Sequence, residues 1–393
     1  MRIGIDARFY GGEQSKGLGR YTQKLIEYLM HLDQNNEYVI FLQSEQYKKW
    51  ACPYRNFIAI EAPYPWYSWE EQVFMPLKIK QANVDFMHFP HFNVPLFYNG
   101  PFIVTIHDLI LSRFPTERAT TLGPWLYKIK QLAYHQVIKH AALKAQQIIT
   151  VSNYSKQDIM DYFKISEKKI IVTYEAADII PSDEASEDDS KIILSGLGIN
   201  KAYLLYVGNA YPHKNLETLL KVVHQLKKDH QLNWKLVLVG RKDYFYKRLE
   251  QQAWAMNLDQ DIIFTGFIAD KDLPVLYQKA TAYIFPSRYE GFGLPPLEAM
   301  SYKTPVICSN QACLPEVLGS AVLYFDYQDV YGIIEQVKNI FTDINLKQEL
   351  IRKGLKQIKK YSWGKMARQT LEIYAQTDHS VKNRKKNAYV KTH

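Results

Sequence analysis

Thirteen short apolar runs, separated by stretches of helical character, constrain this chain more than anything else in its sequence. The first seven are RIGID (2–6), EYVIFL (37–42), FIAIE (57–61), VDFMHF (84–89), PFIVTIH (101–107), QIITVS (147–152) and KIIVTY (169–174). The other six are YLLYVG (203–208), KLVLVG (235–240), DIIFTGF (261–267), AYIFPS (282–287), TPVICSN (304–310) and AVLYFD (321–326). Runs this continuously apolar suit strands buried on both faces, so the pattern predicts α/β domains with mostly parallel sheets covered by helices. Between the two series lies PSDEASEDDS (181–190), acidic and poor in apolar residues, which reads as a linker. No close repeat relates the two series, and 393 residues exceed one ordinary core. The expected layout is a first domain over 1–180, an acidic linker over 181–200 and a second domain over 201–361. A helix over 362–378, packing back toward the first domain, and a basic disordered tail over 379–393 complete it.

At 47% hydrophobic and 23% charged residues the chain is that of a soluble, packed protein. No apolar run approaches the roughly 20 residues of a membrane span. Met1 leads directly into RIGID without a signal-peptide pattern, so a cytoplasmic location is expected. Three cysteines, Cys52, Cys308 and Cys313, read as free thiols, and no metal site is expected. The net charge of +9 asks for an acidic partner, either a phosphorylated ligand or an anionic membrane surface. Nucleic acid is disfavoured because no zinc-finger spacing or aromatic RNA-binding signature is present.

Ligands of open parallel sheets bind beyond the carboxyl ends of the strands, and a cleft between two such domains is the default site. Strand ends therefore supply the candidates. After the first strand, Gly17 and Gly19 form a loop before a helix with Tyr21, Leu25, Tyr28, Leu29 and Leu32 on one face. A phosphate or sugar could approach Gly19, although a structural turn explains it equally well. His107 and Asp108 end the fifth strand, where a histidine can bond a sugar hydroxyl or a backbone group, or sit as a satisfied strand-end residue with Asp108 capping the next segment. His88 and His91 flank Pro90, which argues against a helical metal site. Ser152, Asn153 and Ser155 take a structural reading, with Ser155 as a helix cap.

In the second series, Gly208 and Asn209 follow a strand, and Lys214 stands at an expected helix start beside Asn215. An ammonium there opposes the helix dipole, which an intervening anion would explain better than solvation does. Arg241 is a second cation at a strand end, and Phe267 and Ile268 end another strand where a flat base could lie. The stretch FPSRYEGFGLPPLEAM (285–300) reads as a ligand loop running into a helix. Gly291 and Gly293 allow unusual backbone angles, Pro295 and Pro296 suit a first helical turn, and free N–H groups there attract anions. Glu290 falls in the loop and Glu298 in the expected first turn, where solvation and dipole complementation would also account for them.

Together these stretches resemble the glycosyltransferases of the GT-B fold, in particular retaining family 4 with its E-x7-E motif. The likeness runs from RIGIDARF through GLGRY, TIHD, ITVSNYSK, VGNAYPHKNLETLL and TGFIADKDLPVLY to FPSRYEGFGLPPLEAM and LPEVLGSAVLYFD. WYSWEEQVFMP and HDLI look most like bacterial mannosyltransferases of cell-surface polysaccharide. The resemblance implies two Rossmann-like domains facing each other across a cleft, the first for acceptor and the second for nucleotide-sugar donor. It implies transfer of a hexose with retention to a glycan or lipid-linked acceptor, with no metal or other cofactor. GDP-mannose is the favoured donor and a UDP-sugar the alternative. Residue by residue, Glu290 would contact the donor sugar and Glu298 the ribose, while the main chain at Gly291, Phe292, Gly293 and Leu294 would lie along sugar and phosphates. Lys214 would neutralise the leaving diphosphate, His107 would sit near the sugar and Gly19 near the phosphates. Asn209 stands where many relatives carry arginine, which leaves more of the phosphate charge to Lys214 and Arg241, and Thr304 replaces a common glycine.

Two other classes compete: a non-catalytic nucleotide-sugar binder, and a glycoside hydrolase using Glu290 and Glu298 as a carboxylate pair. The hydrolase leaves Lys214 without a task. Residues 122–144, with Lys128, Lys130, Lys139, Lys144, Trp125, Tyr127 and Tyr134, read either as a helix lying on anionic lipid or as a solvated face.

Overall fold

A computed structural model describes residues 1–11, 16–115, 124–178, 186–229 and 232–391, with side chains except at positions 16, 124–127 and 378–391. The chain divides into two compact units, residues 1–175 with 362–393, and residues 176–361. Every one of the thirteen apolar runs contains a strand. In unit 1 these are β1 (Arg2–Asp6), β2 (Glu37–Leu42), β3 (Phe57–Glu61), β4 (Phe86–Phe89), β5 (Phe102–Thr105), β6 (Gln147–Thr150) and β7 (Ile170–Val172). They form one sheet in the order β3-β2-β1-β4-β5-β6-β7, with all neighbours parallel. Unit 2 has β8 (Tyr203–Val207), β9 (Lys235–Val239), β10 (Ile262–Gly266), β11 (Ala282–Phe285), β12 (Val306–Ser309) and β13 (Leu323–Phe325). Its order is β10-β9-β8-β11-β12-β13, again all parallel.

Burial explains why the runs are continuous and not alternating. Val39, Phe41, Met87, Val104 and Ile148 all lie in the unit 1 core, and both faces of β4 and β5 are covered. The helix Lys16–Leu32 buries Tyr21, Leu25, Ile26 and Leu29, whereas Tyr28 and Leu32, expected on the same face, are partly exposed at its margin. Gly17 and Gly19 belong to the first turns of this helix and not to a loop before it. The stretch 12–15 lies outside the described residues.

Two segments depart from the expected layout. Residues read as acidic linker form a helix, Glu187–Gly196, in unit 2. Ser186 caps it by accepting from the Asp189 N–H, Glu187, Asp188 and Asp189 complement the positive end of its dipole, and Glu187 pairs with Lys279 at 2.5 Å. The rest of the acidic stretch, 181–185, lies outside the described residues. At the chain's end one helix, Trp363–Lys391, runs on through the residues read as a disordered tail. Lysine, arginine and alanine are good helix formers, and extending an existing helix avoids the cost of nucleation. This helix belongs to unit 1, where it buries Met366, Ala367, Ile373 and Tyr374. The Tyr374 hydroxyl lies 2.6 Å from His88 Nδ1, and His88 Nε2 lies 2.9 Å from Thr105 Oγ1.

Burial, and secondarily repulsion from His107, push the pKa of His88 down to about 3. The unfolded chain takes up this proton near pH 6.5, so the stability from a neutral His88 is present above that pH and lost as pH falls toward 3. Each such proton costs about 1.4 kcal/mol per pH unit within the window. Denaturant midpoints measured from pH 7 to 4 should therefore fall with acid, and His88→Gln should flatten the slope by about one proton; an unchanged slope would refute the assignment.

Candidate active site

Winding outward in both directions leaves a topological switch between β8 and β11 in unit 2, and between β1 and β4 in unit 1. Side chains on the loops after these strands meet at the switch.

In unit 2 the chain leaves β8 at Gly208, and the exposed Asn209 closes a small turn by accepting the Tyr211 N–H at 3.3 Å. Pro212–Lys214 then makes one turn of 3₁₀ helix, and Asn215, left-handed at φ 59°, precedes the helix Leu216–Lys228. Lys214 thus stands a residue before the helix cap and not in the helix. From β11 the loop 286–293 leads to the helix Leu294–Ser301. Gly293 adopts φ 93°, an angle that favours glycine, and a Cβ there would lie 2.8 Å from Leu314 Cδ2, which would have to shift. Pro295 and Pro296 occupy the first turn and carry no N–H. The anion-attracting capacity of this helix start therefore rests on its dipole and the amides at Gly293 and Leu294, fewer donors than expected. Glu298 falls in the second turn, half-buried, and not in the first.

Glu290 and Lys214 come together. Lys214 Nζ lies 2.6 Å from Glu290 Oε1, with side chains 12% and 9% exposed, and 5.4 Å from the centre of the Phe285 ring. The sequence suggested an anionic ligand as the counter-charge for Lys214; in the structure Glu290 stands in that place. Phe292 is buried, its ring edge-on against Tyr361. Arg241 and Phe267 lie exposed, and Ile268 half-buried, beyond the ends of β9 and β10 on the same edge. The approach is tight, since a Cβ at Gly240 would lie 2.2 Å from the Gly208 carbonyl oxygen. Two residues were not legible as site members in the sequence, Asn215 and Arg288. The Arg288 Nε and Nη2 donate to Asn215 Oδ1 at 3.0 and 2.7 Å.

In unit 1, His107 follows β5 with both ring nitrogens engaged, Nδ1 3.0 Å from Glu175 Oε1 and Nε2 3.0 Å from the Pro90 carbonyl oxygen. Both partners are acceptors, an arrangement that favours the doubly protonated ring. Burial opposes the charge, but the Glu175 hydrogen bond and charge, with the Pro90 carbonyl, outweigh it and raise the pKa. His107 thus bonds a carboxylate and a backbone group, and sequence reasoning missed Glu175. Asp108 caps the following segment through the Ile110 N–H at 2.9 Å. Ser152, not Ser155, caps the helix Asn153–Phe163, while Ser155 Oγ donates to the His107 carbonyl oxygen at 3.1 Å. Gly19 is buried in the helix Lys16–Leu32, beyond the end of β1. At the β1/β4 switch Arg8 is buried between Asp6 and Glu71, at 2.7 and 2.5 Å, and Asn93 donates to Glu71 at 2.7 Å. Among the described residues no group of three or more His, Cys, Asp and Glu could hold a metal ion, and no helix is long and apolar enough to cross a membrane.

Two doubly wound parallel sheets in one chain, one with a lysine and a carboxylate at its switch, are the arrangement of a GT-B glycosyltransferase. The model of the glycosyl transferases group 1 matches residues 190–357 and that of glycosyltransferase family 4 matches residues 15–179, and the chain belongs to this family of enzymes. It is 31% identical over 290 residues to O-antigen chain mannosyltransferase B of Escherichia coli, covering 73% of each chain. It is 28% identical to the O-antigen chain mannosyltransferase RfbU of Salmonella typhimurium, covering 71% of each. In fold it is similar to a sucrose-phosphate synthase of Thermosynechococcus elongatus, with TM-score 0.72 and 20% identity over 97% of this chain and 100% of that one.

Removing one member of a buried ion pair strands the other, at a cost of about 3–5 kcal/mol, whereas replacing both is close to neutral. Lys214→Met should therefore destabilise unit 2 by about 3 kcal/mol, and Lys214→Met with Glu290→Gln by under about 1 kcal/mol, in chemical denaturation. Equal losses in the two variants would show that the pair is not desolvated.

Proposed function

We propose that this enzyme transfers mannose, with retention and without a metal, from GDP-mannose to a glycan or lipid-linked acceptor of cell-surface polysaccharide. The observation that carries this reading is the Lys214–Glu290 pair at the β8/β11 switch. A nucleotide diphosphate sugar exchanges that pair without stranding a charge: the diphosphate takes the ammonium of Lys214, and the sugar hydroxyls take the carboxylate of Glu290. Lys214 and the dipole of the helix Leu294–Ser301 then stabilise the charge that grows on the leaving diphosphate, as an oxyanion hole does. Glu298 serves the ribose, the main chain from Gly291 to Leu294 lies along sugar and phosphates, Gly208, Asn209 and Arg241 border the phosphates, and Phe267 with Ile268 receives the base. With Glu290 taken up by the sugar hydroxyls, the mechanism is front-side attack in which the leaving phosphate accepts the acceptor proton. The acceptor falls to unit 1, from which His107 serves the donor sugar and Gly19 the phosphates. The mannosyl assignment leans on the names of the two O-antigen relatives.

A ligand that binds only the folded state raises its melting temperature. In a thermal-shift series of GDP, UDP, GDP-mannose and UDP-glucose, the guanine nucleotides should give the larger shifts, and a shift with UDP alone would reassign the donor. Lys214→Ala should lower transfer at least about a hundredfold, the scale of losing one charge-stabilising group; near-normal turnover would overturn the donor site.

Peripheral membrane contact is supported by the helix Pro124–Lys144, where Ile129 and Leu132 are 60% and 65% exposed beside the exposed Lys128 and Lys130. The side chains of Trp125 and Tyr127 lie outside the described residues. The protein should sediment with anionic vesicles and not with neutral ones, and Ile129→Ser with Leu132→Ser should release it.

A further inference from the structure

Three neighbouring residues of the turn after β8 are each tied to the loop after β11. The Arg288 N–H donates to the His213 carbonyl oxygen at 2.8 Å. Lys214 pairs with Glu290 at 2.6 Å, and the Arg288 guanidinium donates twice to Asn215 Oδ1. The Asn215 amide cannot turn away, because its Nδ2 donates to the Tyr327 carbonyl oxygen at 3.0 Å and its Oδ1 also accepts from Thr218 Oγ1 at 2.9 Å. Asn215 is fully buried and left-handed, and Arg288 lies at the surface with its guanidinium 5.5 Å from the centre of the Tyr327 ring. One side chain from each of the loops after β8, β11 and β13 thus meets in a single clasp.

We infer that Arg288 is a positioning residue for transfer, holding Lys214 and Glu290 at the separation the donor needs once the donor has broken their own contact. The inference rests on the donor-site reading proposed for Lys214 and Glu290. Of the three ties, the middle one is spent on ligand binding, since its two charges pass to diphosphate and sugar. The outer two involve no group assigned to the donor, so they persist. Two donors converging from one planar guanidinium on one oxygen fix the angle between the loops as well as their distance, which a lysine ammonium does not reproduce. Because Arg288 is exposed and its partner is neutral, its loss removes the orientation without leaving a buried charge. The only sequence trace of this arrangement is an arginine two places before Glu290 in PSRYEG.

The test uses the full chain with whichever of GDP-mannose and UDP-glucose it turns over, comparing Arg288→Ala, Arg288→Lys and Lys214→Ala with the wild type. Misplacement of reacting groups by about 1 Å costs roughly a hundredfold. Arg288→Ala should lower kcat by about 30- to 100-fold with donor KM changed less than about threefold, and added methylguanidine should restore part of the rate. Arg288→Lys should fall between Arg288→Ala and wild type in kcat, and it carries the test should Arg288→Ala fail to fold. Wild-type kcat in the folded Arg288 variants, or a loss confined to KM, overturns the inference while an inactive Lys214→Ala leaves the donor site standing. Full activity of Lys214→Ala instead removes the donor site, and the inference with it.

Discussion

A parallel sheet that winds outward in both directions from its middle must reverse somewhere, and at the reversal two neighbouring loops leave for opposite faces. The rest of this molecule depends on that constraint. Unit 2 reverses between β8 and β11, and unit 1 between β1 and β4. At the first reversal the chain brings together Lys214 and Glu290, 76 residues apart. At the second it gathers Asp6, Arg8, Glu71 and Asn93. Both places are lined with charge: Glu290 matches Lys214 one to one, whereas the Arg8 guanidinium is shared between two carboxylates, Asp6 and Glu71, and burial raises the pKa of Glu71.

The two clusters differ in what can reach them. Arg8 is 2% exposed and Glu71 0%, and their bonds are directed at side chains and at the main chain of the 64–67 loop, which suits a fixed brace. Lys214 and Glu290 keep a margin of exposure, and their bond is a single contact between flexible side chains. An ion pair of that kind contributes little net stability. The lysine and the carboxylate balance each other there. His107 follows the same economy in unit 1, where Glu175 balances the charge of its protonated form. Its contribution runs opposite to that of His88: present below pH 6.5 and lost as pH rises through its elevated folded value.

Strands buried on both faces cannot hide in a sequence, because they need uninterrupted apolar runs such as KLVLV, and so both sheets were legible from end to end. Lys214 and Glu290 were legible as strand-end residues of unusual type, but their contact was not, since nothing local in either stretch records a partner 76 positions away. The contact of Asn215 with Arg288, 73 positions apart, escaped notice for the same reason. The helix Glu187–Gly196 was missed because its first turn is acidic, a composition that marks a solvated linker until Ser186 and the dipole are considered together. Gly17 and Gly19 misled in the other direction, because glycine weakens a helix without forbidding it, and the burial of Tyr21, Leu25 and Leu29 supplies what propensity does not.

The helix Trp363–Lys391 gives the molecule an order of completion. His88 sits in the middle of the first sheet, yet its Nδ1 partner, the Tyr374 hydroxyl, is 286 residues further along. As the chain emerges from the ribosome, unit 2 has all of its own residues before unit 1 does, although unit 1 begins first. Until Tyr374 arrives, a buried imidazole lacks one hydrogen bond and the faces that cover Met366, Ala367 and Ile373 stand open to water. The amino-terminal unit is therefore the last to receive all of its residues, and a chain cut short between Tyr361 and Tyr374 has every residue of the second unit but an incomplete first one.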